Sequence, residues 1–330
     1  MRRMRISVAM CTYNGAEFLP AQLASIAEQT RPPDELIVCD DASTDDTRAV
    51  LESFARSSQI PVSLYFSDYN AGSIKNFERA IGLCTGDTIA LSDQDDVWHR
   101  DKLERIEKSL NQNPASGLIF SDAEVVDRDL NSLGQRVWSA VGFGPQQQRL
   151  LEEGRSLEVL VNGWTVTGAT MAFRADYLKL ALPIPSNLAM IHDGWLALII
   201  AAVAGVTFIA EPLLKYRRHE RQQIGLPRRT AAQENRGLRS IEAALRRRNS
   251  LTDLHEILSV LEERLLAHRT AFDCRRALAF TGAYSRHLDA RASLPRKRLN
   301  RVPRILRELL TMRYHEYGNG FKSAAKDLVS

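Results

Sequence analysis

Cysteine is scarce in this chain of 330 residues, and its spacing suits no cysteine chemistry: Cys11, Cys39, Cys84 and Cys274 contain no C-x-x-C pair. That excludes a cysteine-based zinc site or a thioredoxin-like redox motif. Three of the four fall in or beside expected core elements, so they read as buried small hydrophobes of a reducing compartment. Long apolar runs are missing too. The longest, Trp195–Ala210, has 16 residues with Gly205 near its end, whereas a spanning helix needs about 20. It reads as a buried helix followed by the strand Val206–Ala210. A secretory leader is not visible, because the basic Met1–Arg5 is followed by only a short apolar stretch, Ile6–Cys11, that continues into a strand pattern. These absences point to a cytoplasmic protein, with peripheral membrane contact still open. Repeats and low-complexity tracts are also lacking. The basic excess lies outside any nucleic-acid module, so no nucleic-acid partner is expected.

Charge is present but segregated. From residue 215 onward there are 26 Lys and Arg against 12 Asp and Glu, and before it 18 against 28. Such asymmetry suggests a basic surface on the C-terminal part. The acidic part has a crowded point. Leu91-Ser-Asp93-Gln94-Asp95-Asp96-Val-Trp98 sets three carboxylates in four positions directly after the apolar run 87–91. That run reads as a buried strand, and the C-terminal ends of strands are where open α/β sheets bind ligands. Like charges this close repel unless a cation or hydrogen-bond donors offset them. Mg2+ takes one or two carboxylates and leaves places for phosphates. Asp93-x-Asp95 therefore suggests a metal-bound diphosphate; the plainer reading is a solvated acidic turn capping a helix from His99. Three further strands end in polar signatures: Arg5–Met10 before Cys11–Gly15, Asp34–Cys39 before Asp40–Thr47, and Val62–Phe66 before Asn70–Phe77. Strands alternating with amphipathic helices imply parallel βαβ units.

Four ordered elements carry a family likeness: Val8-Ala-Met-Cys-Thr-Tyr-Asn14, Asp40-Asp41-x-Ser43-x-Asp45-x-Thr47, Asn70-x-Gly72 with Asn76, and Asp93-x-Asp95-Asp96. Together they resemble an inverting family-two glycosyltransferase with the GT-A fold, over roughly residues 5–225. Ser92-Asp-Gln-Asp-Asp-Val-Trp98 is most similar to the bacterial rhamnosyltransferase-like branch. The likeness implies an α/β catalytic domain, 1–225, with a Rossmann-like, mostly parallel sheet flanked by helices. Its nucleotide-sugar half would be about 1–111 and its acceptor half about 112–225. It implies a divalent metal, Mg2+ or Mn2+, and transfer of a sugar from a dTDP- or UDP-sugar to a bacterial polysaccharide or lipid-linked oligosaccharide. L-rhamnose from dTDP-rhamnose is the first-choice donor.

The same resemblance assigns roles. Asp95 is the direct metal ligand, and Asp93 binds ribose or a metal-bound water. Asp41 accepts the base N–H of uracil or thymine, with Thr12 and Tyr13 lining the base pocket. Asp193, in His192-Asp-Gly-Trp195, is the general base; the family often has Glu-Asp there, so the role of position 192 is open. His219 in Tyr216-Arg-Arg-His219 is a further metal or diphosphate contact, with a structural histidine as the alternative. Arg217 and Arg218 are alternative diphosphate partners. Lys75 and Asn76 begin a helix near the same edge; Lys75 either reaches the phosphates or faces solvent. Asp96 either caps the next helix or touches the acceptor, and Ser43 with Asp45 reads as N-cap chemistry. A nucleotidyltransferase of similar fold would want a Gly-rich, cationic phosphate loop after the first strand, which Cys11-Thr-Tyr-Asn-Gly15 lacks. A catalytically inactive scaffold is the remaining alternative, opposed by Asp41, Asp93, Asp95 and Asp193 occurring together.

Residues 129–155, polar with Pro145, read as a long binding loop. From about residue 226 to 330 the pattern becomes a basic helical appendage. Leu251, Leu254, Leu258, Leu261 and Leu265 step by three and four, one seam at coiled-coil spacing. Over two heptads it predicts an antiparallel helix pair or a contact between copies of the chain. The run from Arg296 to Arg307, interleaved with Leu299, Val302, Ile305, Leu306 and Leu309, can lie on an anionic membrane or form the solvated face of a packed helix.

Overall fold

A computed structural model of the chain describes residues 3–161, 165–220, 222, 251–318 and 320–329. It has two compact units, one within residues 1–245 and one within 246–330. The expected domain boundary at 225/226 lies outside the described residues, as do 162–164.

The first unit is built on a nine-stranded sheet. Its strands are β1 (Ile6–Thr12), β2 (Glu35–Asp40), β3 (Val62–Phe66), β4 (Thr88–Ser92), β5 (Val97–Trp98), β6 (Ser116–Val126), β7 (Ser132–Arg136), β8 (Met171–Arg174) and β9 (Gly205–Arg217). They lie in the order β3-β2-β1-β4-β8-β6-β9-β5, with β7 beside β6. The block β3-β2-β1-β4 is parallel. β8 then runs antiparallel to both β4 and β6, so the whole sheet is mixed. Every residue of β1 and β4 is buried, which is why they read as continuous apolar runs rather than alternating ones.

The helices are α1 (Leu19–Ala27), α2 (Thr47–Ser57), α3 (Ser73–Leu83), α4 (Lys102–Gln112), α5 (Val137–Val141), α6 (Pro145–Glu152), α7 (Ser156–Val161), α8 (Leu178–Ala181) and α9 (His192–Ala201). Parallel βαβ crossovers bring the C-terminal ends of β1, β2 and β4 to one edge. Thr12 stands opposite Asp40, and Met10 opposite Ser92. Gly72 precedes α3 at φ +85°, a conformation that a side chain resists.

Three expectations are corrected. Residues 129–155 are not one loop: β7 pairs with β6, and α5 and α6 follow. Trp138 and Phe143 anchor this segment, packing with Phe120 and Phe208 at 5.2–5.7 Å between ring centroids. Pro145 begins α6, where its missing N–H leaves no bond unmade. The strand expected at Val206–Ala210 does not end there: it is part of the 13-residue strand β9, whose register against β6 shifts near Pro212. The helix expected from His99 starts at Lys102, because Val97-Trp98 is first spent pairing with Leu214 and Lys215.

The second unit is helical: α10 (Leu251–His268), α11 (Arg275–Ala292), α12 (Val302–Leu310), α13 (Arg313–Glu316) and α14 (Phe321–Val329). α10 packs on α11. Leu258, Leu261 and Leu265 of the seam, with Ile257, are fully buried within the single chain. Ile305, Tyr314 and Ala324 form a second small core. Asp327 ties it together, accepting Arg291 at 2.6 and 3.1 Å and the Tyr314 hydroxyl at 2.9 Å. Among the described residues, no helix is long and apolar enough to cross a membrane.

Candidate active site

The turn after β1 and the turn after β2 are knitted to each other. Asp40 accepts the Thr12 hydroxyl at 2.7 Å and the Ser43 N–H and hydroxyl at 2.9 and 2.6 Å. Ser43 in turn accepts the Asn14 N–H, and Asn14 accepts that of Thr44. Asn14 and Ala42 sit at φ 48° and 61°, a cost that these bonds offset. Ser43 is therefore a bridge between turns rather than a helix cap. Asp45 does take the Thr47 N–H and hydroxyl in the first turn of α2, at 3.0 and 2.5 Å.

Asp41 accepts the N–H groups of Ala71 and Gly72 at 2.7 and 2.9 Å, so it also holds the turn before α3. Asn76 donates to the Cys39 carbonyl at 2.8 Å and is buried. Lys75 is not drawn to the carboxylates; it pairs with Glu78 at 2.9 Å on the surface. The Tyr13 ring is partly exposed at the edge.

Beyond β4, Gln94 reaches back to β1. Its Oε1 accepts the Tyr13 N–H at 2.8 Å and its Nε2 donates to the Tyr13 carbonyl at 3.0 Å. A Cβ on Gly15 would lie 2.1 Å from Gln94 Oε1, so this clamp requires glycine there. Asp95 Oδ2 lies 2.8 Å from His219 Nε2, and the His219 ring packs tilted against Phe18, 4.5 Å between ring centroids. Asp96 neither caps α4 nor lies open: it is buried and accepts the Arg217 N–H at 3.0 Å. Arg217 donates to the carbonyls of Asp95 and Arg128, which fastens the acidic turn to the end of β9.

Burial and the neighbouring charges of Asp95 and Asp193 push the Asp93 carboxyl up to about 7. Burial, then Asp95 and Asp93, raises Asp96 well above the usual carboxylate range. Lys102 is a positive charge that opposes both shifts. It is fully buried, donates to the Ala169 carbonyl, and lies 3.9 Å above the Trp98 ring. Desolvation lowers its ammonium to about 7 against the pull of Asp96 and Asp93.

Asp193 stands in the first turn of α9 and is buried. Its Oδ2 accepts the Gly168 N–H at 2.9 Å and its Oδ1 the Gly194 N–H at 2.6 Å. A Cβ on Gly168 would come within 3.2 Å of His192 and 3.5 Å of Asp193. His192 is stacked on Phe77 at 3.9 Å, and burial lowers its pKa, so it is a neutral packing residue beneath the base candidate. Lys102 holds Ala169 while Gly168 holds Asp193, so adjacent residues link the acidic turn to α9.

Lys102, Gln94 and Gly168 were not legible as site residues. Lys102 carries a weak signal, a lysine six residues after Asp96 in the first turn of a helix. The contacts that matter are made to distant residues.

The donor set fits a hard divalent cation. Asp95 and His219 place a carboxylate oxygen and an imidazole nitrogen together, and neighbouring carboxylates lack enough positive charge. Among the described residues no three such side chains converge. A cation would therefore take its other ligands from phosphate and water.

A mixed sheet flanked by helices, with a parallel block whose last strand runs into D-x-D, is the GT-A class of fold. The match to a family model then gives the family: residues 7–180 match Glycosyl transferase family 2, and the chain belongs to it. It is 27% identical over 220 residues to an uncharacterized glycosyltransferase of Nostoc sp., covering 66% of this chain and 65% of that one. It is 27% identical over 231 residues to the dTDP-rhamnosyl transferase RfbG of Shigella flexneri, covering 66% and 73%. Among solved structures, S. aureus TarS 1-349 in complex with UDP-GlcNAc shares the fold. Its TM-score is 0.57 at 17% identity, over 98% of this chain and 91% of that one.

Proposed function

We propose that this chain is a metal-dependent inverting glycosyltransferase that moves a sugar from a nucleoside diphosphate to a saccharide hydroxyl. The observation that carries this reading is that Asp193, about a hundred residues away in sequence, is near enough to the D-x-D turn for its charge to raise the Asp93 carboxyl, while the loop bonded to it is bonded also to Lys102, a counter-charge of that turn. Each oxygen of Asp193 accepts one backbone N–H, and each keeps a lone pair for a further proton donor. Asp193 takes the proton of the acceptor hydroxyl as the hydroxyl oxygen attacks the anomeric carbon, while the bond from that carbon to the diphosphate oxygen breaks. Attack opposite the leaving group inverts the anomeric centre. Asp95 and His219 would hold the cation, which when bound neutralises the departing diphosphate. Arg218, whose buried Nε has no hydrogen-bond partner among the described residues, adds positive charge for the same group.

Tyr13 flanks the pyrimidine, and Asp41, with lone pairs beyond those facing Ala71 and Gly72, accepts its N–H. Asp93 takes the ribose. The role proposed for Thr12 is indirect, through Asp40, and Lys75 would have to leave Glu78 to meet a phosphate. The donor is dTDP-rhamnose, supported by the Asp93–Trp98 sequence and by the RfbG likeness; a UDP-hexose is the alternative. Thymine and uracil differ by one methyl, worth about 1–3 kcal/mol, so the sugar contacts must provide much of the choice. The acceptor is a growing polysaccharide or a lipid-linked oligosaccharide. Four free cysteines suit a cytoplasmic site.

Asp193→Asn should bind donor normally and lose turnover by about a hundredfold or more. Asp95→Ala, or EDTA on the wild type, should abolish metal-dependent nucleotide binding in titration calorimetry with the protein still folded. Full activity in chelator would reject the metal, and wild-type turnover in Asp193→Asn would reject the base. A preference for UDP-hexoses in donor competition would reject only rhamnose.

A further inference from the structure

The second unit has an apolar surface that its own core does not use. α12 turns Ile305 inward to the core of Tyr314 and Ala324. Its other face is apolar as well. Val302, Leu306 and Leu310 are spaced four apart on one ridge of the helix, continued by Leu299 in the turn before it. Leu306 is 51% exposed, Leu310 84% and Leu299 85%. A helix whose outer ridge is leucine gains nothing in water from that ridge.

The charge around it has one sign. Residues 296–313 hold Arg296, Lys297, Arg298, Arg301, Arg304, Arg307 and Arg313, with Glu308 the single acid. Glu308 is buried and engaged by Arg313 and His287. Arg298, Arg301 and Arg304 donate to backbone carbonyls of Val329, Pro295, Asp327 and Ser293. Those bonds fix the guanidinium groups without neutralising them. Arg307 also lines a groove of about 660 Å3 together with Arg286, Arg313, Ser293, Asp289 and Glu308.

We propose that the outer ridge of α12 is the seat of an anionic lipid surface, with Leu299, Leu306 and Leu310 entering the interface and the flanking arginines meeting phosphate headgroups. An interfacial helix needs this combination of apolar ridge and cationic flank. Attraction to a negative leaflet adds with each basic residue. A second copy fits less well, since a two-fold contact would bring the same basic flank against itself. The inference stands apart from sugar transfer, and its test does not measure transfer.

The test is flotation of the full chain with vesicles of phosphatidylglycerol and phosphatidylcholine, and with pure phosphatidylcholine, at about 0.05 M and about 0.5 M salt. Wild type should float with the anionic vesicles at low salt and lose most of that binding at high salt or on neutral vesicles. Leu306→Glu with Leu310→Glu should cut the bound fraction about tenfold or more. Arg296→Gln with Lys297→Gln and Arg307→Gln should also cut it, and remove the salt dependence. Circular dichroism melts check that each variant is folded; Leu310→Glu alone, at the most open helical position, serves if the double variant is not. Wild type left unbound on anionic vesicles at low salt overturns the proposal. So does equal flotation of the leucine variants. A dimer in sedimentation velocity that the leucine variants convert to monomer, without vesicle binding, gives the ridge to a second copy instead.

Discussion

Gly15 and Gln94 illustrate how a site can be made by a residue that carries no reactive group. The Gln94 amide closes on both polar groups of the Tyr13 peptide, and it can do so because Gly15 presents no side chain. Losing those two bonds should cost about 1–2 kcal/mol, or about tenfold in kcat/KM. Gly15→Ala and Gln94→Ala should each show that loss, and the double variant no more than either. Additive losses in steady-state kinetics would mean that the clamp is not their shared function. Lys102 is the charged counterpart. Removing one member of a buried charge cluster costs about 3–5 kcal/mol, so Lys102→Met should lower the melting temperature. Because its Ala169 contact supports the loop that holds Asp193, it should also lower kcat more than it raises donor KM. Unchanged kcat in a folded Lys102→Met protein would make the lysine purely structural.

Elements differ in how much of their placement was local. β1, β2 and β4 were legible because parallel strands buried on both faces read as apolar runs, each closed by a polar turn, and the half-exposed edge strand β3 was legible from its short apolar run Val62–Phe66. β5 was not, and β9 was legible only in part, as Val206–Ala210, since their pairing joins Val97–Trp98 to residues more than a hundred positions away. The segment 129–155 was misread for the same reason: Trp138 and Phe143 are ordered by contacts to Phe120 and Phe208. The leucine seam was readable as a seam, but only the fold assigns it to the α10–α11 hairpin. Leu261→Ala should therefore destabilise the second unit by about 2–5 kcal/mol, seen as a shifted denaturant midpoint that does not depend on protein concentration; a concentration-dependent midpoint would assign the seam to an oligomer. His287, on α11, gives the unit a pH dependence. It is buried 2.7 Å from Glu308, and burial lowers its pKa although Glu308 opposes the shift. The unfolded chain then binds the proton first, so stability is full above about pH 6.5 and falls as pH drops below it. Acid melts of wild type and His287→Gln should diverge in slope below that pH, and parallel slopes would refute the assignment.

At the scale of the whole molecule, charge and fold divide together. The acidic residues gather in the first unit, where Asp93, Asp95 and Asp96 meet at one sheet edge. In the second unit basic residues outnumber acidic ones, 18 to 9, against 26 to 31 in the first, and they cluster around α12. That division was visible as a difference in composition, whereas the two apolar faces of α12 were not. Ile305 and Leu306 are equally apolar neighbours in sequence, and only packing makes one core and the other surface.

By itself the sequence determined the parallel strands, the polar turns after them, the family and the acidic crowd, because each depends on residues adjacent in the chain. Tertiary structure alone decided that His219 meets Asp95, that Gly168 and Lys102 connect Asp193 to the acidic turn, and that Lys75 and Asn76 turn to Glu78 and Cys39 instead. These contacts depend on the register of β6, β8 and β9 and on how α3, α4 and α9 are seated. Register and seating are fixed by summed burial across the whole sheet, which no local stretch of sequence records.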